Sequence, residues 1–227
     1  MLKRLAKQIM SVVLLKPLTA RVFHILYYHS SDLWPENQFL GFPILQSPMD
    51  LQLYQEIIYA LRPECIIQTG VARGGSILYF ASLLDMIKAP PDVCVVGIDI
   101  ALSEKSKTIV HPRVKLIEGD SVAASTIDAI KAIVGERKGL VALDSDHSEA
   151  HVSKEIALYQ RFVAERNYMV VEDTNINGHP VAPFSGPGPY EAVQKFLKST
   201  RSFRLDDLLW KKNMFSFHQW LKRAPQG

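Results

Sequence analysis

Apolar positions along the chain follow two rhythms. Residues 50–61 place Leu51, Tyr54, Ile57, Ile58 and Leu61 at the three- and four-residue spacing of one helical face. That spacing returns at 76–86, with Ile77, Phe80, Ala81 and Leu84, and predicts further helices at 125–134, 149–163 and 190–197, the last headed by Pro189. Between them lie short apolar runs without helical period: 65–67, 93–100 (VCVVGIDI), 114–118 (VKLIE), 140–143 and 168–171 (YMVV). Runs of this length predict strands, most of them buried on both faces. Their alternation with helices predicts an α/β fold with a mostly parallel, doubly wound sheet. The tail, 203–221, alternates and turns near Asn213, which predicts a closing antiparallel hairpin at one sheet edge. Residues 30–49, rich in Pro, Gly and polar side chains, read as a loop that joins an N-terminal helix to the rest.

Composition narrows the class. The chain has 227 residues, 48% hydrophobic and 22% charged, enough for one large α/β domain with a buried core and unlike a disordered chain. Its 26 basic and 23 acidic residues leave +3, too little to imply nucleic acid as a partner. The two cysteines, Cys65 and Cys94, sit inside apolar runs and read as core thiols, with neither a disulfide framework nor a Cys-rich metal site.

At the N-terminus, Lys3, Arg4 and Lys7 precede a short apolar stretch that Lys16-Pro17 interrupts. A signal peptide needs a longer apolar core and a small-residue cleavage site. No uncharged apolar run approaches the ~20 residues that span a bilayer. A helix packed on its own domain is expected here, in a cytoplasmic protein. The alternatives are peripheral contact with a membrane and packing on another subunit of a homo-oligomer.

The polar clusters fall where strands end. QTGVARGGS (68–76) lies between a predicted strand and a predicted helix, so its glycines permit a sharp turn and close approach of a ligand to free N–H groups. It is neither GxGxxG nor a phosphate loop, which disfavours a dinucleotide or a nucleoside triphosphate. Asp99 ends the next strand, where it can accept hydrogen bonds from both hydroxyls of a ribose. Glu118-Gly119-Asp120-Ser121 ends the third, where an adenine edge can be read. Two acid-rich ends remain, Asp144-Ser145-Asp146-His147 and Glu172-Asp173-Thr174-Asn175. Helix capping accounts for one acid at a strand end but not for clusters at two of them. Converging carboxylates make a hard oxygen site suited to Mg²⁺ or a similar divalent cation. His147 stands beside these acids as the candidate general base, and His179 lies in a loop (NGHPV) placed to cover the site.

At QTGVARGGS, ALDSDHSEAHV, YMVVEDTNINGHPV and FSGPGPYEAVQKFL the chain resembles the cephalosporin hydroxylase / rhamnosyl O-methyltransferase family, enzymes that use S-adenosylmethionine. The resemblance runs over about residues 38–222 and is most specific from 144 to 197. It implies a Rossmann-like methyltransferase fold with a reversed terminal hairpin, in a domain spanning 38–227 behind an N-terminal helical extension, 1–37. By it, Gly70, Gly74, Gly75 and Ser76 surround the methionine part of the cofactor, Asp99 holds the ribose, and Asp120 with Ser121 borders the adenine. Metal-dependent members use one Asp from the first acidic strand end and two adjacent groups from the second, here Glu172 and Asp173. Asp144 precedes these by 28 and 29 residues and Asp146 by 26 and 27, and both stay open as ligands. Catechol-type relatives use a lysine just after the first Asp, whereas no Lys follows here before Lys154, which favours His147 as base and a non-catechol acceptor. The expected reaction is Mg²⁺-assisted O-methyl transfer to a hydroxyl of a sugar or glycosylated acceptor. The alternatives are a non-catalytic cofactor-binding scaffold and a β-lactam hydroxylation component. The latter is disfavoured because no two-His iron triad is evident.

Overall fold

The five apolar runs form five adjacent strands of a seven-stranded sheet, with 114–118 at one edge. The computed structural model of the chain describes residues 2–30, 33–206 and 215–225, with side chains from Leu15 onward. Its elements are α1 (Leu2–Tyr28), a 3₁₀ turn (Trp34–Glu36), β1 (Gln38–Phe39), β2 (Phe42–Pro43), α2 (Pro48–Leu61), β3 (Cys65–Thr69), α3 (Gly75–Met86), β4 (Cys94–Asp99) and α4 (Glu104–Lys107). There follow β5 (Val114–Glu118), α5 (Ala124–Val134), β6 (Leu140–Leu143), α6 (Glu149–Tyr159), a second 3₁₀ turn (Gln160–Phe162), β7 (Tyr168–Val171), α7 (Pro189–Ser199), β8 (Phe203–Leu205) and β9 (Gln219–Arg223). The strand order is β5-β4-β3-β6-β7-β9-β8. The first five strands are parallel, and β9 runs antiparallel to both β7 and β8. This is the expected Rossmann-like sheet with its reversed hairpin; Asn213, the expected turn, lies outside the described residues.

The sheet is buried because helices cover both faces. Cys65 and Ile67 point to one side with residues of α5, α6 and α7, while Ile66 points to the other with α2 and α3. Cys65 and Cys94 are register partners on β3 and β4, buried and unbonded to each other, as core thiols should be.

Local differences from the expected pattern have local causes. The helix beginning at Glu149 stops at Tyr159 and tightens into a 3₁₀ turn, four residues before the expected end. α2 starts two residues early because Pro48 suits a first helical turn and the Ser47 hydroxyl accepts from the Met49 N–H at 3.3 Å. The stretch read as loop, 30–49, also holds the two-residue pair β1–β2.

Two features of this architecture position a site. After β3 the chain builds outward through β4 and β5, then returns to place β6 on the opposite side of β3. The crevice of a doubly wound sheet opens at such a switch, at the carboxyl ends of β3 and β6. Second, α1 packs an aromatic face onto the segment leading into β9, with Phe23 at 4.5 Å from Phe215 and His24 edge-on to Phe217 at 4.7 Å. No helix among the described residues is long and apolar enough to cross a membrane.

Candidate active site

The cleft begins with a close approach of two strand ends. Gly70 has φ +78°, and a Cβ there would lie 1.7 Å from the Asp144 carbonyl oxygen, so no other side chain fits. Asp144 N–H in turn donates to the Thr69 carbonyl at 3.1 Å, and Glu172 N–H to Leu143 at 3.0 Å. The ends of β3, β6 and β7 are thereby held side by side.

Asp99, at the end of β4, organises the glycine-rich turn. Its Oδ2 accepts from the Val71 and Ala72 N–H groups, both at 2.9 Å, and its Oδ1 from Ala101 N–H at 3.0 Å. A carboxylate offers about four acceptor sites, so one remains for a ligand. Gly70, Asp99, Asp120, Ser121, Asp144, Asp146, His147 and Asp173 all line one cleft of about 640 Å³, with Ile98, Ile100, Leu45 and Trp34 supplying apolar walls. Gly74, Gly75 and Ser76 are not among its lining residues. A Cβ on Gly75 would meet the Pro43 carbonyl at 2.3 Å and one on Gly74 the Ile109 side chain at 2.4 Å, so these glycines admit neighbouring chain segments rather than a ligand. Ser121 shares a 2.9 Å hydrogen bond with His151, and Tyr159 donates to the Ser121 carbonyl at 2.9 Å.

At the other end of the cleft, one oxygen or nitrogen atom each from Asp144, His147 and Asp173 lies within 4.8 Å of the others. His147 Nε2 stands 3.5 Å from Asp144 Oδ1 and 3.7 Å from Asp173 Oδ2, ion-pair distances beyond a hydrogen bond. Burial pushes the Asp144 carboxyl up to about 6, aided by the facing Asp173 charge and opposed by His147. For His147, burial lowers the imidazole, but the Asp144 and Asp173 carboxylates outweigh it and hold the pKa at about 9. His147 is therefore charged at neutral pH. Asp146 lies two residues on, exposed, with its Oδ1 accepting from Ser148 N–H at 2.7 Å at the start of α6; it lines the cleft but stands outside the triad.

Glu172 is placed differently from its neighbour. Asp173 has φ +50°, which turns its carboxylate toward the cleft, while Glu172 stays buried beneath it. There Tyr54 Oη donates to Glu172 Oε1 at 2.5 Å and Gln46 Nε2 donates to Oε2. Gln46 reaches Asp144 Oδ2 as well, at 3.4 Å. His218 completes the network: it shares a 3.1 Å hydrogen bond with Gln46 Oε1, and its Nδ1 accepts from Asp173 N–H at 3.1 Å. Behind it, Asp50 accepts from the Ser216 hydroxyl and from Phe217 N–H. Burial lifts the Glu172 carboxyl to about 8, with the Asp144 charge adding to the shift. Gln46, Tyr54, Asp50 and His218 were not expected from the sequence. Tyr54 reads there as one more apolar position of a helix, and His218 and Gln46 meet only through pairing across 172 residues.

His179 is not brought to this cluster. Its Nε2 bonds Glu191 at 2.6 Å, its ring stacks on Tyr190 at 3.9 Å, and it lines a separate cavity of about 370 Å³.

Comparison with known proteins assigns the chain. The model of the family described as Rhamnosyl O-methyltransferase/CmcI matches residues 31–224. The chain belongs to this family. The rhamnosyl O-methyltransferase of Mycobacterium bovis is 36% identical over 173 residues, covering 75% of this chain and 70% of its own. That of Mycobacterium leprae is 36% identical over 172 residues, 75% and 74% of the two chains. A solved CmcI structure described as its Mg–SAM form aligns with a TM-score of 0.66 at 22% identity, over 86% of this chain and 79% of that one. CalS11, a TDP-rhamnose 3'-O-methyltransferase, aligns at 0.54 and 18% identity, over 77% and 76%. With family membership, the expected fold and the expected class of enzyme, an O-methyltransferase, both stand.

Proposed function

We propose that the protein transfers the methyl group of S-adenosylmethionine to a hydroxyl of a rhamnosyl or related sugar acceptor, with a divalent cation, Mg²⁺ in the first instance, at the acidic end of the cleft. The observation that carries this reading is the convergence of Asp144, His147 and Asp173 in the same cleft as Gly70 and Asp99, in a chain 36% identical to rhamnosyl O-methyltransferases. The catalytic unit is residues 38–227, with 1–37 as a helical extension that contributes Trp34 to the cleft.

The cofactor fits the two halves of the cleft. Asp99 takes one ribose hydroxyl with its remaining acceptor position, Asp120 and Ser121 border the adenine between apolar Ile98 and Ile100, and the methionine end lies against Gly70. Gly74, Gly75 and Ser76 act through the shape and N-terminal dipole of α3 rather than by lining the cleft.

The donor set also fits a cation. Two partly buried carboxylates face each other with a third, Glu172, just behind, and the His147 imidazole stands within ion-pair distance of both. Asp144 and Asp173 would hold the ion, with Glu172 behind them as a third carboxylate, and Asp146 would remain an outer acid. Bound there, a divalent cation supplies Lewis acidity toward the acceptor hydroxyl. His147 takes the hydroxyl proton at Nε2, which requires the neutral imidazole that prevails once the two carboxylates are committed elsewhere. The acceptor oxygen would take the methyl as the methyl–sulfur bond breaks and S-adenosylhomocysteine leaves, and the remaining contribution of the chain is positioning in a cleft that Trp34 and Leu45 line. His179, held by Glu191 outside the cluster, serves the acceptor side rather than the proton transfer.

The test is transfer of isotope-labelled methyl from S-adenosylmethionine to a panel of rhamnosides, followed by mass spectrometry, with calorimetry of cofactor binding. Cation-stimulated methylation is expected, and Glu172→Ala should abolish the stimulation. Cofactor binding without methylation of any rhamnoside overturns the acceptor assignment. Full activity of Glu172→Ala in chelator overturns the cation's role.

A further inference from the structure

α1 has two faces, and the fold uses one of them. Ala20, Phe23, His24 and Tyr27 lie toward the domain, where Phe23, His24 and Tyr27 contact Phe217. The opposite side carries Leu15, Leu18, Val22, Ile25 and Leu26, each 40 to 63% exposed. At about 100° per residue these five fall within an arc of about 100°, one continuous stripe turned away from the domain. A water-facing helix surface ordinarily carries charged or polar residues at such positions.

The charge of the same helix indicates what covers the stripe. From Leu2 to Tyr28 the sequence holds Lys3, Arg4, Lys7, Lys16 and Arg21 and not one acidic residue. A chain that is only +3 overall therefore carries five positive charges on one helix. A second copy docked through this stripe would set two acid-free helices against each other, and like charge opposes that pairing. A bilayer surface rich in anionic lipid satisfies both the stripe and the charge.

We propose that α1 docks the protein on anionic membrane surfaces, lying in the headgroup layer with its Leu15–Leu26 stripe in the apolar boundary. The helix lies along the bilayer, since none among the described residues is apolar enough to cross it. Tyr27 and Tyr28, off this stripe, line a cavity that also reaches Asp173, so the docked helix stays packed beside the acidic end of the site.

The test uses the full chain and large unilamellar vesicles in a flotation assay. Co-flotation is expected with vesicles of phosphatidylglycerol and phosphatidylcholine, with little on phosphatidylcholine alone, and is expected to weaken as salt screens the lysines and arginines. The double variant Leu18→Ser/Leu26→Ser, neither residue lining a cavity described above, should lose at least about tenfold in vesicle affinity. Its unchanged melting temperature and unchanged calorimetric binding of S-adenosylmethionine would show that the loss comes from the stripe alone. Absence of flotation with anionic vesicles overturns the proposal, as does undiminished flotation of the folded double variant. A wild-type dimer in sedimentation equilibrium that the same substitutions dissociate also overturns it, by showing that a second copy covers the stripe.

Discussion

Asp173 holds a left-handed conformation, φ +50°, that ordinary side chains adopt only at a cost of order 1 kcal/mol, and the His218 ring accepts its N–H in that pose. This one backbone angle separates two adjacent acids into different roles, the partly buried partner of Asp144 and His147 and the fully buried partner of Tyr54. The alternation of a strand does not reveal such a turn, so the sequence marks both Glu172 and Asp173 without ranking them. The choice between Asp144 and Asp146 is hidden for a similar reason. Two residues apart on a strand, they would share a face, but the chain has left β6 by then and Asp146 is spent on Ser148 N–H. Asp144→Asn and Asp173→Asn should each weaken divalent-cation binding, followed by calorimetry, at least about 100-fold, taking the loss seen for outer-sphere changes as a floor. Asp146→Asn should leave it within a few-fold; a hundredfold loss there would move the ligand role to Asp146. Gly70→Ala, whose Cβ would overlap the Asp144 carbonyl at 1.7 Å, should cost more than about 3 kcal/mol in urea unfolding.

The helices and strands themselves were legible because each is set by a local pattern. β5 and β7 occupy the residues their apolar runs mark, and α3 and α5 begin within one residue of the expected start. The network under the site was not legible, because each member comes from a different element: Gln46 from the loop before α2, Tyr54 from α2, Glu172 from the end of β7, and His218 from the approach to β9. Each satisfies its local pattern, and only the pairing of β9 with β7 assembles them. The hydrogen bond from Tyr54 to Glu172 measures what α2 contributes to the site. Tyr54→Phe removes that donor from a buried carboxyl while keeping the ring against Phe80 and Trp220 at 4.9 and 4.8 Å. Urea denaturation at neutral pH should show a loss of about 1–3 kcal/mol. No change in the midpoint would mean that solvent or another donor reaches Glu172 in the variant.

For the whole molecule, α1 packs its aromatic face on the segment leading into β9, and His24 makes that docking sensitive to acid. His24 is 8% exposed, its Nε2 lacks a hydrogen-bond partner, and burial lowers its pKa to about 4, with a backbone hydrogen bond to Phe215 opposing and the nearby His218 adding to the shift. In the unfolded chain the imidazole titrates near 6.5. Between these values the unfolded state binds the proton and the folded state does not, so stability falls as pH falls through this window and is fully present above it. From pH 7 to pH 5 the loss from this one group amounts to about 2 kcal/mol. His24→Phe retains the edge-on packing against Phe217 and removes the titration. The other histidines are common to both proteins, so the difference between wild type and variant isolates His24. Urea unfolding midpoints at pH 7 and pH 5, with tryptophan fluorescence as the probe, should show a markedly steeper decline for the wild type. Parallel declines in the two proteins would mean that α1 separates from the domain before the cooperative transition, and that the sheet unfolds without reference to it.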